Sequence, residues 1–249
     1  MKKNYPEFHL LDYNYLRPSL AELSKFNEYL KINHKNITTN HKEYNQISFY
    51  CREFTKLENV MIYNVIHNMQ EKHIYCPLHW TSGDIIRFLT LYHYNINKTT
   101  DGIKKHFDWM NMLSNFELSE QASQILRNGN VYIGNRAKDG NPILIVSLSG
   151  IENINAVDIK NGQDALIFVM MIIIKYMMFG GYCESYHLFI DLNKTKTFGV
   201  DCKFLKSLVK TINDNFYRPG GRTFVYNPEK SFNITWNIIK EKKFIDEDL

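Results

Sequence analysis

The run Ala165–Phe179, ALIFVMMIIIKYMMF, constrains the fold more than any other stretch of the chain. A helix needs about 20 apolar residues to cross a bilayer. This run falls short of that, carries Lys175 within it, and ends at Gly180-Gly181. A helix that is apolar on nearly every side is buried, held between a sheet and something else. Its methionines, flexible and polarizable, suit an adaptable lining as well as an ordinary core.

The hydrophobic period on either side says what that helix packs into. Before it the pattern is helical. Ser19–Asn33 carries Leu20, Leu23, Phe26 and Leu30, and Lys42–His73 carries Ile47, Tyr50, Phe54, Leu57, Met61, Val65 and Met69, steps of three and four that read as one long helix or two. Asp84–His93, capped by Thr81 or Ser82, Lys98–Met112 and Ser119–Arg127 continue the helical part. Then the period shortens. Val131–Ile133 and Ile143–Leu148 read as strands joined by the turn Lys138-Asp139-Gly140-Asn141. The helix Asn161–Gly180, the strand Leu188–Asp191, the amphipathic helix Asp201–Phe216 and the strand Thr223–Tyr226 follow. Strands alternating with helices predict an α/β fold with a mixed or parallel sheet covered by helices.

The chain closes on a strand that feeds directly into an aromatic helix. Asn227 suits an N-cap and Pro228 a first helical position, and Phe232, Trp236, Ile239 and Lys243 then recur along one face. Lys230, Lys240, Lys242 and Lys243 lie at or near its margins. They form a solvated face, or they favour an anionic membrane surface at about 1 kcal/mol per charge.

Several function classes find no support. A net charge of +4 over 249 residues is too mild and too dispersed for nucleic acid. Cys51, Cys76, Cys183 and Cys202 are scattered without a C-x-x-C pair and read as free thiols in a reducing compartment. MKKNYPEFHL has no long apolar run, so no signal peptide is expected. The nucleotide-binding, nucleophile-elbow and H-E-x-x-H motifs are missing. Asp191, at the end of an apolar strand, has no identifiable base or nucleophile beside it. His67, His73, Cys76 and His79 match no structural zinc spacing, so no metal or other cofactor is expected.

Four stretches, in order, resemble the CRAL-TRIO family of lipid-binding and lipid-transfer domains. Ile85-Ile86-Arg87-Phe88-Leu89 is similar to L-L-R-F-L, with Trp109 where the family's helical subdomain has a Trp. Lys138-Asp139-Gly140-Asn141-Pro142-Ile143 resembles K-D-G-R-P-V, and Phe189-Ile190-Asp191-Leu192 the strand ending in I-D-L. Asn227-Pro228, Phe232, Trp236 and Phe244-Ile245-Asp246 resemble N-x-P-x-x-F, the next aromatic residue and F-L-D, with one residue fewer between Asn and Pro.

The resemblance implies a helical subdomain over 60–128 and a lipid-binding α/β domain over 129–249, while residues 1–59, mostly outside it, read as an N-terminal helical extension. It further implies an apolar pocket closed by a C-terminal gate helix, Pro228–Phe244. On this reading the ligand meets Ile145, Phe168, Ile172, Phe189, Phe204, Leu208 and Val225, with Phe232, Trp236 and Ile239 of the gate. Lys230, Lys240, Lys242 and Lys243 become membrane contacts.

The usual headgroup signatures are not retained. Tyr217-Arg218-Pro219-Gly220-Gly221-Arg222 replaces an acid-bearing Y-P-E-R turn, and Tyr186 and Leu188 stand where the family has Ser-x-Thr. The chain also stops short of the family's final strand: either it is a trimmed product, or the N-terminal extension, a partner chain or a dimer covers the open sheet edge. The expected function is non-enzymatic binding of one hydrophobic or phospholipid ligand, with transfer or presentation between membranes by a cytoplasmic, peripherally associating protein. The alternative is a protein-interaction scaffold that keeps the fold without a working pocket.

Overall fold

In a computed structural model, which describes residues 17–19, 21, 53–77, 80–148, 156–179, 183–192, 200–216 and 220–227, the chain divides between Glu117 and Leu118 into two compact units. The first unit is helical. Helix α1 (Lys56–Glu71) starts where Thr55 accepts from the Glu58 N–H and Glu58 reaches back to the Thr55 backbone. The expected helix over Lys42–His73 is therefore not one uninterrupted helix. The T-x-x-E box marks a start that the unbroken apolar stripe conceals. Helix α2 (Ser82–Leu91) is capped by Thr81 and helix α3 (Ile96–Met112) by Asn95.

Val65, Ile86, Leu89 and Ile103 are fully buried among these helices. Asn68 bonds Asn97 at 2.9 Å and Lys72 pairs with Asp101 at 2.8 Å, tying α1 to α3. Around α2 and α3 the rings of Trp80, Phe88, His106, Phe107 and Trp109 form a cluster with centroids 4.7 to 6.3 Å apart.

The second unit is α/β. Helix α4 (Glu120–Arg127), capped by Ser119, leads into strand β1 (Val131–Arg136) and the antiparallel strand β2 (Pro142–Ser147). The turn between them closes on Gly140 at φ +83°, with the Gly140 N–H donating to the Ala137 carbonyl at 2.9 Å. Helix α5 (Ala156–Ile172) follows and widens into a π turn at Ile173–Met177. It starts five residues before the expected Asn161. Strand β3 (Tyr186–Asp191), helix α6 (Val200–Asn215) and strand β4 (Gly220–Tyr226) complete the described elements.

The sheet order is β1-β2-β3-β4, with β3 parallel to both β2 and β4. Crossovers between parallel neighbours are right-handed as a rule, so two taken in the same direction put both helices on one face. Helices α5 and α6 touch there: a Cβ added to Gly162 would fall 2.2 Å from Phe204 Cε2. Gln163 also donates to the Thr211 hydroxyl at 3.1 Å. The apolar run expected to be buried is buried, with Ala165, Leu166, Met170 and Ile173 fully enclosed. Lys175 stays exposed, its ammonium 5.2 Å from the Tyr176 ring centroid.

Candidate functional site: an apolar sheet with one open end

The register assigns every strand residue to a face, because cross-strand partners project to the same side. One rung runs Val131, Val146, Ile190, Val225, and the next Ile133, Leu144, Leu188, Thr223. These residues face the α5–α6 layer, and along each rung burial fades from β2 toward β4. Val131, Val146 and Ile190 are at most 1% exposed, whereas Val225 is half-buried. Leu144 and Leu188 are buried, whereas Thr223 is exposed. An apolar floor thus runs out from under the helices at its β4 end.

The opposite face carries the rung Tyr132, Ile145, Phe189, Phe224. Tyr132 and Phe224 are 42% and 45% exposed, and Tyr226 on the next rung is 56% exposed. The Phe189 ring lies 6.4 Å from Phe224 and 6.1 Å from Tyr226.

The expected ligand residues do not converge on one wall. Ile145 and Phe189 lie on the face away from the helices. Ile172, Phe204 and Leu208 are buried in the helix layer, Phe204 directly over Gly162. Phe168 is half-buried on the outer side of α5, on the same arc as Asp164 and Lys175. Among the described ones, Val225 alone meets the open end of the covered floor. Phe232, Trp236, Ile239, Lys230, Lys240, Lys242 and Lys243 lie outside the described residues.

The positions of the absent headgroup signature are now apolar in surroundings as well as in sequence. Tyr186 is fully buried, which pushes its phenol well above the usual range. Leu188 is buried on the same face. Leu188 has no hydroxyl, and the phenol of Tyr186 is buried.

At the other end of β3 lies a polar network that pattern reading did not single out. His187 Nε2 is 2.9 Å from Asp139 Oδ2 in the β1–β2 turn, and its Nδ1 accepts from the Arg222 N–H of β4 at 2.9 Å. A lone histidine within an apolar strand and the Gly220-Gly221 pair were its signals in the sequence. Burial alone would raise the Asp139 carboxyl. Hydrogen bonds from His187 and Asn141 outweigh it and hold the group below the usual carboxylate range.

Cys183 lies nearby, buried, its thiol pushed up chiefly by burial and donating to the Met177 carbonyl at 3.2 Å. Asp191 shares its rung with Ser147 and Tyr226, so no histidine or cysteine flanks it there. Among the described residues no His, Cys, Asp or Glu group is arranged to hold a metal ion. Nor is any helix among them long and apolar enough to cross a membrane.

Comparison with curated proteins gives no match. The family model described as the CRAL/TRIO domain matches residues 126–249, from the last turn of α4 through the whole sheet.

Proposed function

The chain belongs to the CRAL/TRIO family through residues 126–249, and from that premise we propose that it binds one hydrophobic or phospholipid ligand without catalysis. It carries or presents that ligand between membranes that it visits peripherally from the cytoplasm. The observation that carries the reading is the open end of the covered floor. Leu188 and Ile190 are buried beneath the α5–α6 layer, and Val225, the β4 partner of Ile190, is only half-buried. In this reading residues 228–244, which follow β4, form the next member of that layer and close the pocket. Phe232, Trp236 and Ile239 face the ligand, and the lysines of that stretch meet an anionic surface. Covering apolar surface is worth about 25 cal/mol per Å², and a ligand chain supplies that cover when the gate alone does not.

The test is extraction of the purified chain followed by mass spectrometry, with transfer between vesicles as the second readout. A stoichiometric lipid is expected. Val225→Trp, which fills the floor, and Trp236→Ala, which removes a gate contact, each lower retention, whereas Phe189→Ala on the opposite face leaves it unchanged. No lipid in extracts and no transfer would refute the proposal. Loss on Phe189→Ala with no change on Val225→Trp would move the ligand to the aromatic face.

A further inference from the structure

We infer that His187 is an acid-sensitive latch that holds the start of β4 to the β1–β2 turn. The β3–β4 register shifts between Tyr186 and Leu188: two steps along β3 match three along β4. Such a bulge disrupts the ladder locally. Here the Arg222 N–H turns to the imidazole, donating to Nδ1. That bond fixes the tautomer: Nδ1 carries no proton, so Nε2 carries it and donates to the Asp139 carboxylate. The ring is 9% exposed. A Cβ at Gly221 would fall 2.5 Å from Nδ1 and 2.8 Å from Cε1, so only glycine admits the ring this close to the strand.

A second proton has one place to go. It adds to Nδ1, the atom that accepts from Arg222, and an imidazolium has no lone pair left there. Donor then faces donor and the β4 bond is lost, while the Nε2 bond to Asp139 becomes charge-assisted. The latch thus stays with the turn and releases the strand. The ionisable residues on the elements packed against the ring are Tyr132, Arg136, Lys138 and Asp139 of the hairpin and Arg222 and Tyr226 of β4, with buried Glu184 leading into β3, while β2 presents Ile143 in register with it. Asp139, held below the usual carboxylate range, remains ionised while histidines titrate. At its far end β4 leads straight into residues 227–246, so the strand that the latch grips is the one that precedes the proposed gate. The consequence for a ligand rests on the lipid-binding reading; the latch does not.

Amide hydrogen exchange of the full chain, corrected for intrinsic rate, tests the latch at about pH 7.5 and about pH 5.5, the range over which histidine serves as a charge switch. The Arg222 amide should lose about fivefold protection at the lower pH, the factor one net hydrogen bond supplies. His187→Gln, whose amide oxygen can accept from Arg222 at any pH, should abolish the step. Equal protection of Arg222 at both pH values in the unmodified chain, or persistence of the step in His187→Gln, would overturn the latch. Ligand retention measured on the same samples separates the two ideas. A pH step at Arg222 without any bound lipid sustains the latch and refutes the lipid reading. Lipid retained equally at both pH values despite that step overturns the coupling between latch and pocket.

Discussion

Replacing Gly162 with alanine tests whether Phe204 is packing or pocket. The new Cβ would sit 2.2 Å from Phe204 Cε2 and 2.5 Å from Cζ, where carbon contacts settle at about 3.5 to 4.0 Å. The ring or the whole of α6 must retreat by more than an ångström, and Phe204 is buried, at 1% exposure. Overpacking of this kind costs about 1 to 3 kcal/mol, and a clash this close belongs at the upper end. Against it stands the gain of about 1 kcal/mol when alanine replaces glycine inside a helix.

The net expectation is a loss of about 2 kcal/mol, or roughly 4 to 8 °C in Tm for a chain of this size. Phe204→Ala alone costs about 3 to 5 kcal/mol. In that background the clash is gone, and Gly162→Ala should stabilise by about 1 kcal/mol. The sign reversal is a coupling of about 3 kcal/mol, read from thermal or urea denaturation of the four chains. A glycine substitution that destabilises both backgrounds equally would refute the α5–α6 contact. A large loss of bound lipid in Gly162→Ala with unchanged Tm would return Phe204 to the pocket wall.

Two further substitutions probe the termini of the argument. Thr55→Ala removes the capping box of α1 and should cost about 1 kcal/mol, with Thr55→Ser restoring most of it; Trp80 and Trp109, both in the helical unit, report the transition by fluorescence once Trp236 is replaced by phenylalanine. Asp139→Asn addresses acid stability. Because the folded-state value of Asp139 is depressed, its contribution is present above the unfolded value of about 3.9 and is lost as pH falls through the folded value. The asparagine variant should be less stable at neutral pH and lose less on acidification, and parallel stability curves for the two proteins would count against the depressed carboxyl.

Much of the second unit was legible because its signals are local. The turn at Lys138–Asn141 needs a glycine with positive φ and has one. The alternation of β-branched runs with helices fixed the order of β1 through β4, and the buried character of Ala165–Phe179 followed from having no polar face. In the first unit, Thr81 and Ser82 were both cap candidates for the helix over Asp84–His93, and the structure assigns the cap to Thr81. The ligand set was less legible for a geometric reason. Ile145, Phe189 and Val225 are equally apolar in sequence, yet strand parity sends the first two to one face and the third to the other. One residue of register decides it.

The His187 network was out of reach for a related reason: its three members come from a turn, a central strand and an edge strand, 48 and 35 positions apart. The sequence by itself determined the α/β class, the element order and the CRAL-TRIO resemblance, because periodicity, caps and turn residues act within a few positions of themselves. Tertiary structure alone decided which apolar residues seal the helix layer, that Gly162 makes room for Phe204, and that the covered floor opens at β4. Those outcomes depend on pairing register and on the closeness of helices far apart in the chain, and no local pattern encodes either.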